Sequence, residues 1–341
     1  MTDFIIRGIN VDSDEEMRQL NELDEACAQD IYGASQKSTV DERRAALAPS
    51  AYQKTERFVA AVSEGDAERV VGIAICGMPL YENKKTAFIG LAVHPEYRGR
   101  GIGSALAERL KETAHAAGRT TLDSWGEIPA DANADDSTLP VNLIARRLGM
   151  EKKNVAAQKT LDLPLPEGKL AQFEAQVTEK IGDYRLETWT DGIPENQLEN
   201  YGILLRQLEL DEPTGDHRNE APEFSADRVR EIREKQKAMG FRDVITVAFS
   251  PENEIAGQSE IIYNTNEGTS IGFQANTLVM PAHRGHALGL AMKVANHRKL
   301  EAVAPHIKVV VTGNSSLNTQ MNAINEQFGY KVACQEIAFQ S

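Results

Sequence analysis

The stretch His94-Pro95-Glu96-Tyr97-Arg98-Gly99-Arg100-Gly101-Ile102-Gly103 decides how this chain is read. An apolar run over residues 86–93 precedes it. A run with Ile102, Leu106, Leu110 and Ala114 at helical spacing follows. Strand, glycine-bearing turn and helix together make an anion site. The first turn of a helix has N–H groups with no intrahelical partner, and its dipole is positive there. Glycine lets the backbone approach phosphate oxygens closely. Arg98 and Arg100 add charge. The same setting recurs at Pro281-Ala282-His283-Arg284-Gly285-His286-Ala287-Leu288-Gly289.

The elements around the two loops repeat as well. The first half reads as a strand at residues 4–7, helices at 13–29 and 40–47, and strands at 57–62, 70–77 and 86–93. The loop and its helix follow, then a strand at 120–125, a helix at 141–148 and a strand at 155–163. The second half restarts with a strand at 184–189, helices at 195–208 and 226–239, and strands at 244–249, 255–262 and 274–280. Its loop and helix lead to a strand at 307–312, a helix at 318–328 and a last strand at 330–339. Gly72 stands 26 residues before Arg98, and Gly257 stands 27 before Arg284. Arg98 to Gly149 is 51 residues and Arg284 to Gly329 is 45. The shortfall falls where the first copy has a polar loop over residues 130–137. These spacings predict a tandem α/β protein with mixed sheets: one domain over 1–163, a linker over 164–182 and a second domain over 183–341.

Composition narrows the function. At 341 residues the chain has room for two cores. Its net charge of −14 argues against a nucleic-acid binder, which needs a basic stripe to displace counterions. No stretch approaches the ~20 apolar residues of a membrane span, and no leader peptide is read at the N-terminus. Cys27, Cys76 and Cys334 form no CxxC pair. They read as buried thiols of a cytoplasmic protein. His283 and His286 lack a third ligand at suitable spacing, so no metal is expected.

Two phosphate motifs fail. No Gly-Lys-Ser/Thr follows either loop, which excludes a Walker A site. Gly99, Gly101 and Gly103, with Asp123 twenty residues after the last, partly fit a dinucleotide fingerprint. But Ser104 stands where the third glycine belongs, and the second loop loses the pattern. What fits both loops is Arg/Gln-x-x-Gly-x-Gly/Ala. Arg98, Gly101 and Gly103 fill it first; Arg284, Ala287 and Gly289 fill it again, with alanine at the centre.

That pattern resembles the acyl-CoA pyrophosphate loop of the GNAT superfamily of N-acetyltransferases. The element order resembles the family over nearly the whole chain. The two-copy form is similar to tandem acetyltransferases of the actinobacterial, mycothiol synthase-like type. Residues 277–286, Thr312-Gly313-Asn314, Asn318, Met321, Asn322 and Ile324-Asn325-Glu326 carry that likeness in the second half.

The resemblance implies acetyl-CoA as acyl donor and a small-molecule amine as acceptor. A monomer suffices for this reading. The donor's pyrophosphate would sit on Arg98, Gly99, Arg100, Gly101, Ile102, Gly103 and Ser104 in one half. In the other it would sit on Arg284, Gly285, His286, Ala287, Leu288 and Gly289. Its pantetheine arm would pair with Leu91, Ala92 and Val93, or with Leu278, Val279 and Met280, where the strand before the loop leaves its neighbour. Asn314 and Asn318 would contact that arm. Glu127 and Glu260 are the candidate bases for the attacking amine. Many members carry a tyrosine four residues before the glycine of the last helix; here Ala145 and Asn325 hold those places. Asn325 would instead hydrogen-bond the donor. Asp211, Glu212 and Asp216 are candidates for a cationic acceptor, and Trp125 and Trp189 read as core residues. The alternative is that one or both halves bind acyl-CoA without catalysis, as a structural or sensing module.

Overall fold

Ser13 opens the first long helix, its side chain accepting from Glu16 N at 3.2 Å. The Glu16 carboxylate reaches back past the cap to Asn10 N at 2.8 Å. Gly33, at φ 60°, ends the helix. Thr39 and Glu42 form a reciprocal capping box on the next one. The computed structural model describes residues 4–65, 67–190, 192–211 and 216–341.

The first half runs β1 (Phe4–Gly8), α1 (Asp14–Tyr32), α2 (Val40–Leu47), β2 (Gln53–Glu64), β3 (Ala67–Pro79) and β4 (Thr86–Val93). Then come α3 (Ile102–Ala116), β5 (Thr121–Pro129), α4 (Pro140–Leu148) and β6 (Glu151–Asp162). The segment read as a linker contains a helix, α5 (Lys169–Thr178). Its Leu170 and Phe173 are buried in the core of the second half. The second half runs β7 (Arg185–Trp189), α6 (Leu198–Asp211), α7 (Ala226–Ala238), β8 (Phe241–Phe249), β9 (Ile255–Asn264) and β10 (Ile271–Val279). It ends with α8 (Leu288–Val303), β11 (Val309–Ser315), α9 (Thr319–Phe328) and β12 (Lys331–Gln340).

The twelve strands of the described residues form one mixed sheet, in the order β1-β2-β3-β4-β5-β12-β6-β11-β10-β9-β8-β7. Read from either end, the order is the same under exchange of the two copies. The closing strands have changed places. β12, the last strand of the chain, pairs with β5 of the first half. β6, the closing strand of the first copy, pairs with β11 of the second. The two also pair with each other at the centre.

Alternation along the strands separates two layers of helices. Phe58 and Ala60 of β2 face the cluster around α3 and α4. Val59 faces Met17, Leu20 and Leu23 of α1. In the second half Val244 joins the α8 and α5 cluster, while Ile245 and Val247 meet Tyr201 and Leu204 of α6. The chain between the first two helices of each half reaches onto the other half. Ser270 N donates to Ser35 O at 2.9 Å, and Ser35 N to Ser270 Oγ at 3.1 Å. Asn83 and Glu220 exchange bonds in the matching place, with Glu220 N donating to Asn83 Oδ1 at 2.8 Å.

Candidate active site

Each half contains a fork between two parallel strands. β4 and β5 pair only from Thr86–Thr121 to Phe88–Asp123. β10 and β11 pair only from Ile271–Val309 to Phe273–Val311. Beyond those residues the strands separate and leave backbone groups of β4 and β10 open toward the gap. The two forks differ in one respect. β4 runs against β3 without interruption. β10 shifts register against β9 between Gln274 and Asn276, which makes Ala275 a bulge. This one residue accounts for the spacing of 27 against 26 noted above. The Gln274 side chain pins the bulge, donating to Glu260 O at 2.7 Å and Asn276 O at 2.8 Å.

The loops after β4 and β10 match closely. Gly99 and Gly101 lie at φ 75° and 85°; Gly285 and Ala287 lie at 91° and 54°. Ala287 therefore holds a left-handed conformation that favours glycine. Neither α3 nor α8 has a side chain capping its N-terminus, so the first-turn N–H groups face outward. A Cβ added at Gly101 would meet nothing within 4 Å. The loop is an open cradle of donors, as an anion site requires.

The arginines are placed alike. Arg98 Nε donates to Val93 O at 3.2 Å, and Arg284 Nε donates to Val279 O at 3.2 Å. Each guanidinium also meets an acid near the end of the first long helix of its half: Arg98 with Asp30, Arg284 with Asp211. Asp211 thus serves the loop. Asp216 is exposed, and Glu212 lies outside the described residues. Arg100 lies over the Tyr97 ring at 4.8 Å and donates to Glu96 O.

In the second half a cavity of about 620 Å³ runs from this loop into the fork. Leu278, Val279, Arg284, Gly285, Ala287, Leu288, Gly289, Asn314 and Asn318 line it together. Gln274, Thr312, Lys293 and Ile324 also line it, and the sequence reading had not singled them out for this role. Lys293 could have been noticed, because it stands with Asn296 and His297 on the buried face of α8. Met280, His286, Glu260 and Asn325 are not among the lining residues. The His286 ring packs tilted against Tyr184, and His283 Nδ1 lies 2.9 Å from the Tyr184 hydroxyl. Among the described residues no group of three His, Cys, Asp or Glu could hold a metal ion.

Asn325 is fully buried and stands behind the wall. Its Nδ2 donates to Asn314 Oδ1 at 2.5 Å, fixing Asn314 in the cavity. Asn318 caps α9, accepting from Met321 N at 3.1 Å. Glu260 is 1% exposed. The Arg233 guanidinium grips its carboxylate, Tyr201 donates at 3.2 Å, and Asn276 Nδ2 donates at 3.3 Å. This is a closed network beside the cavity.

In the first half, β5 extends to Pro129, so Glu127 lies within the strand and not past its end. It is exposed on one side and stands opposite Glu336 of β12. Desolvation and the Glu336 charge lift its carboxyl above the usual range, against a smaller opposing pull from Arg98. Cys334 is buried beside both carboxylates, and desolvation pushes its thiol up to about 12. All three cysteines are free, two buried and Cys27 half-buried. Leu91, Ala92 and Val93 edge the fork, and Gly103 packs near Leu91, Val93 and Ile144. Ile102 is buried; Ser104 is half-buried in the first turn. Trp125 is half exposed, stacked on Phe88, which departs from its reading as core. Trp189 packs against the α6 cluster.

Each half thus has a sheet forked between parallel strands, with an uncapped helix at the mouth of the fork. Residues 17–136 match the model of the acetyltransferase (GNAT) family. A solved tandem GNAT protein from the clavulanic acid biosynthesis pathway matches with TM-score 0.74 at 23% identity, covering 99% of this chain and 98% of that one. N-myristoyltransferase of Saccharomyces cerevisiae, solved with myristoyl-CoA and inhibitors, matches with TM-score 0.62 at 12% identity, over 100% of this chain and 80% of that one. Mycothiol acetyltransferase of Acidothermus cellulolyticus is 37% identical over 78 residues, 22% of this chain and 20% of that protein. The chain thus matches about a fifth of that relative's length. Residues 17–136 thus carry the likeness to the GNAT family, and the whole chain shares its fold with a solved tandem GNAT protein.

Proposed function

We propose that the protein transfers an acetyl group from acetyl-CoA to an amine of a small molecule, with the chemistry in the second half. The observation that carries this is the cavity joining the Arg284–Gly289 loop to the bulged fork. The pyrophosphate would take the first-turn N–H groups of α8. The pantetheine arm would lie along Leu278 and Val279 and pair with their open backbone groups, as an added strand does. Asn314, Asn318 and Thr312 would orient its far end. The acceptor amine would attack the thioester carbon, and backbone N–H groups freed at the bulge would take the developing oxyanion. Glu260 is held too tightly to serve as a base, so water carries the amine proton away.

The first half supports a second reading, an acyl-CoA-binding module without catalysis. Its β4 has no bulge, and Ala145 stands where Asn325 stands in the second half. Its loop is nonetheless open. Glu127, with its raised carboxyl, is the group that would act as base if that half turns over.

Calorimetric titration of acetyl-CoA into wild type, Gly101→Glu and Ala287→Glu tests both readings, with thiol release measured over an amine panel. Two binding events, each removed by one substitution, and turnover lost only in Ala287→Glu are the expected result. Turnover that survives Ala287→Glu would place the chemistry in the first half. Binding without release on any amine would favour the module reading for both.

A further inference from the structure

The cavity of the second half contains a cation that the proposed reaction has not used. Lys293 on α8 lines it, yet is only 1% exposed. Among the described residues, the charged ones lining the cavity are Asp211, Arg284 and Lys293. Asp211 and Arg284 pair with each other. No ion pair of the described residues includes Lys293. Its Nζ lies 5.4 Å from the Tyr330 ring centre and 5.9 Å from that of Phe328. An ammonium so placed is costly unless an anion arrives beside it.

The first half shows that the fold does not require it. Ala107 holds the same position relative to Gly103 that Lys293 holds relative to Gly289. Leu110 and Met150 likewise stand where the second half has Asn296 and Tyr330. All three first-half residues are buried in an apolar cluster. In the second half the polar atoms of Asn296 and the Tyr330 hydroxyl are buried with no hydrogen-bond partner among the described residues. The polar set belongs to the half with the cavity.

An acetyl-CoA molecule seated on the loop brings its phosphates to the α8 N-terminus. The remaining negative charge develops at the other end of the arm, when the carbon–sulfur bond breaks. Resting on the reading given above, we propose that Lys293 is the acid that protonates the sulfur of the departing CoA. The amine nitrogen bonds to the carbonyl carbon, the carbon–sulfur bond breaks, and its electron pair passes to sulfur. A proton moves from the Lys293 ammonium to that sulfur. This leaves CoA as the thiol and Lys293 as a neutral amine, which regains a proton from solvent. The acceptor's own proton leaves to water. Burial pushes the Lys293 ammonium down to about 7, near the ideal for a donor at neutral pH. The other ionisable groups facing it are Tyr330, just before β12, and His297 one turn along α8. Burial holds the first neutral by raising it and the second neutral by pulling it down to about 3. Asn325 has no proton to give and is tied to Asn314.

The test uses the full chain, with CoA itself as probe. Thiolate absorbance of bound CoA is followed against pH in wild type and Lys293→Met, an apolar residue of similar length that the buried site accepts. In wild type the bound thiol ionises about one to two pH units lower than in free CoA, because a neighbouring cation favours the thiolate. Lys293→Met binds CoA but loses that shift, and its kcat on acetyl-CoA falls about 100-fold or more. A bound thiol that titrates identically in both proteins overturns the proposal. So does a wild-type preference for malonyl-CoA that Lys293→Met loses, since the charge would then serve a carboxylated acyl group. A wild-type chain that binds no CoA removes the donor reading itself, which the titration reveals before any substitution is compared.

Discussion

Glu127 on β5 stands directly opposite Glu336 on β12, a carboxylate from each half of the chain facing its like where the exchanged strand pairs. Like charges in that register repel. Burial, with the Glu336 charge adding to it, therefore lifts the Glu127 carboxyl above the usual range. A carboxyl raised in the folded state contributes stability that is present below its unfolded value and lost as pH rises through the folded one. Glu336→Gln removes the charged neighbour and returns Glu127 toward its ordinary value. The melting temperature should rise at neutral pH and stay unchanged below the carboxylate range. Equal gains at both would show that the charge of Glu336 is not the cause.

Arg284 is held by Asp211, at the mouth of the cavity. Asp211→Asn keeps the side-chain shape and removes the competing anion. The freed guanidinium should raise CoA affinity severalfold and steepen its salt dependence. Pantetheine, which lacks the pyrophosphate, should bind as before. Titration of both ligands at two salt concentrations reads the difference.

The Arg233–Glu260 pair is buried, with Tyr201 bonded to the carboxylate. Breaking such a pair by removing one partner costs about 3–5 kcal/mol, because a charge is left uncompensated. Glu260→Gln should lower stability by roughly that amount in urea unfolding. Arg233→Met on top of it should restore most of the loss. An unchanged unfolding midpoint with abolished turnover would instead make Glu260 part of the chemistry.

Ala287 carries φ 54° at the N-terminus of α8, where Gly101 carries 85° in the first half. Ala287→Gly relieves that conformation and loses little contact. Stability should rise by up to about 1 kcal/mol, with acetyl-CoA affinity retained. A fall in stability would mean that the Ala287 methyl contributes packing that outweighs the strain.

The duplicated pattern was legible because glycine and arginine mark the loops and apolar periodicity marks the elements. The mixed α/β sheet, both loops and the asparagine cluster around Asn314 stand where the sequence put them. Pairing partners were not legible. Alternation along β6 and β12 states which side chains face a core but not which neighbour supplies it, so their exchange left no trace in either strand. Lys293 escaped for a related reason. A helix stripe read by its apolar members conceals the one polar member that faces a cavity. Glu260 shows the converse: a strand carboxylate that the sequence leaves open to a cleft is enclosed by Arg233, which lies 27 residues away.

The exchanged strands also set a schedule for the chain as it is made. Gln340 of β12 bonds Asp123 of β5 across 217 residues. A ribosome adding 5–20 residues per second needs roughly 10–40 s to cover that distance. Throughout that interval β5 has no neighbour on its outer side, and the first copy waits with an open sheet edge. The nascent first half therefore lacks the β12 partner of β5 for longer than it lacks any other strand partner.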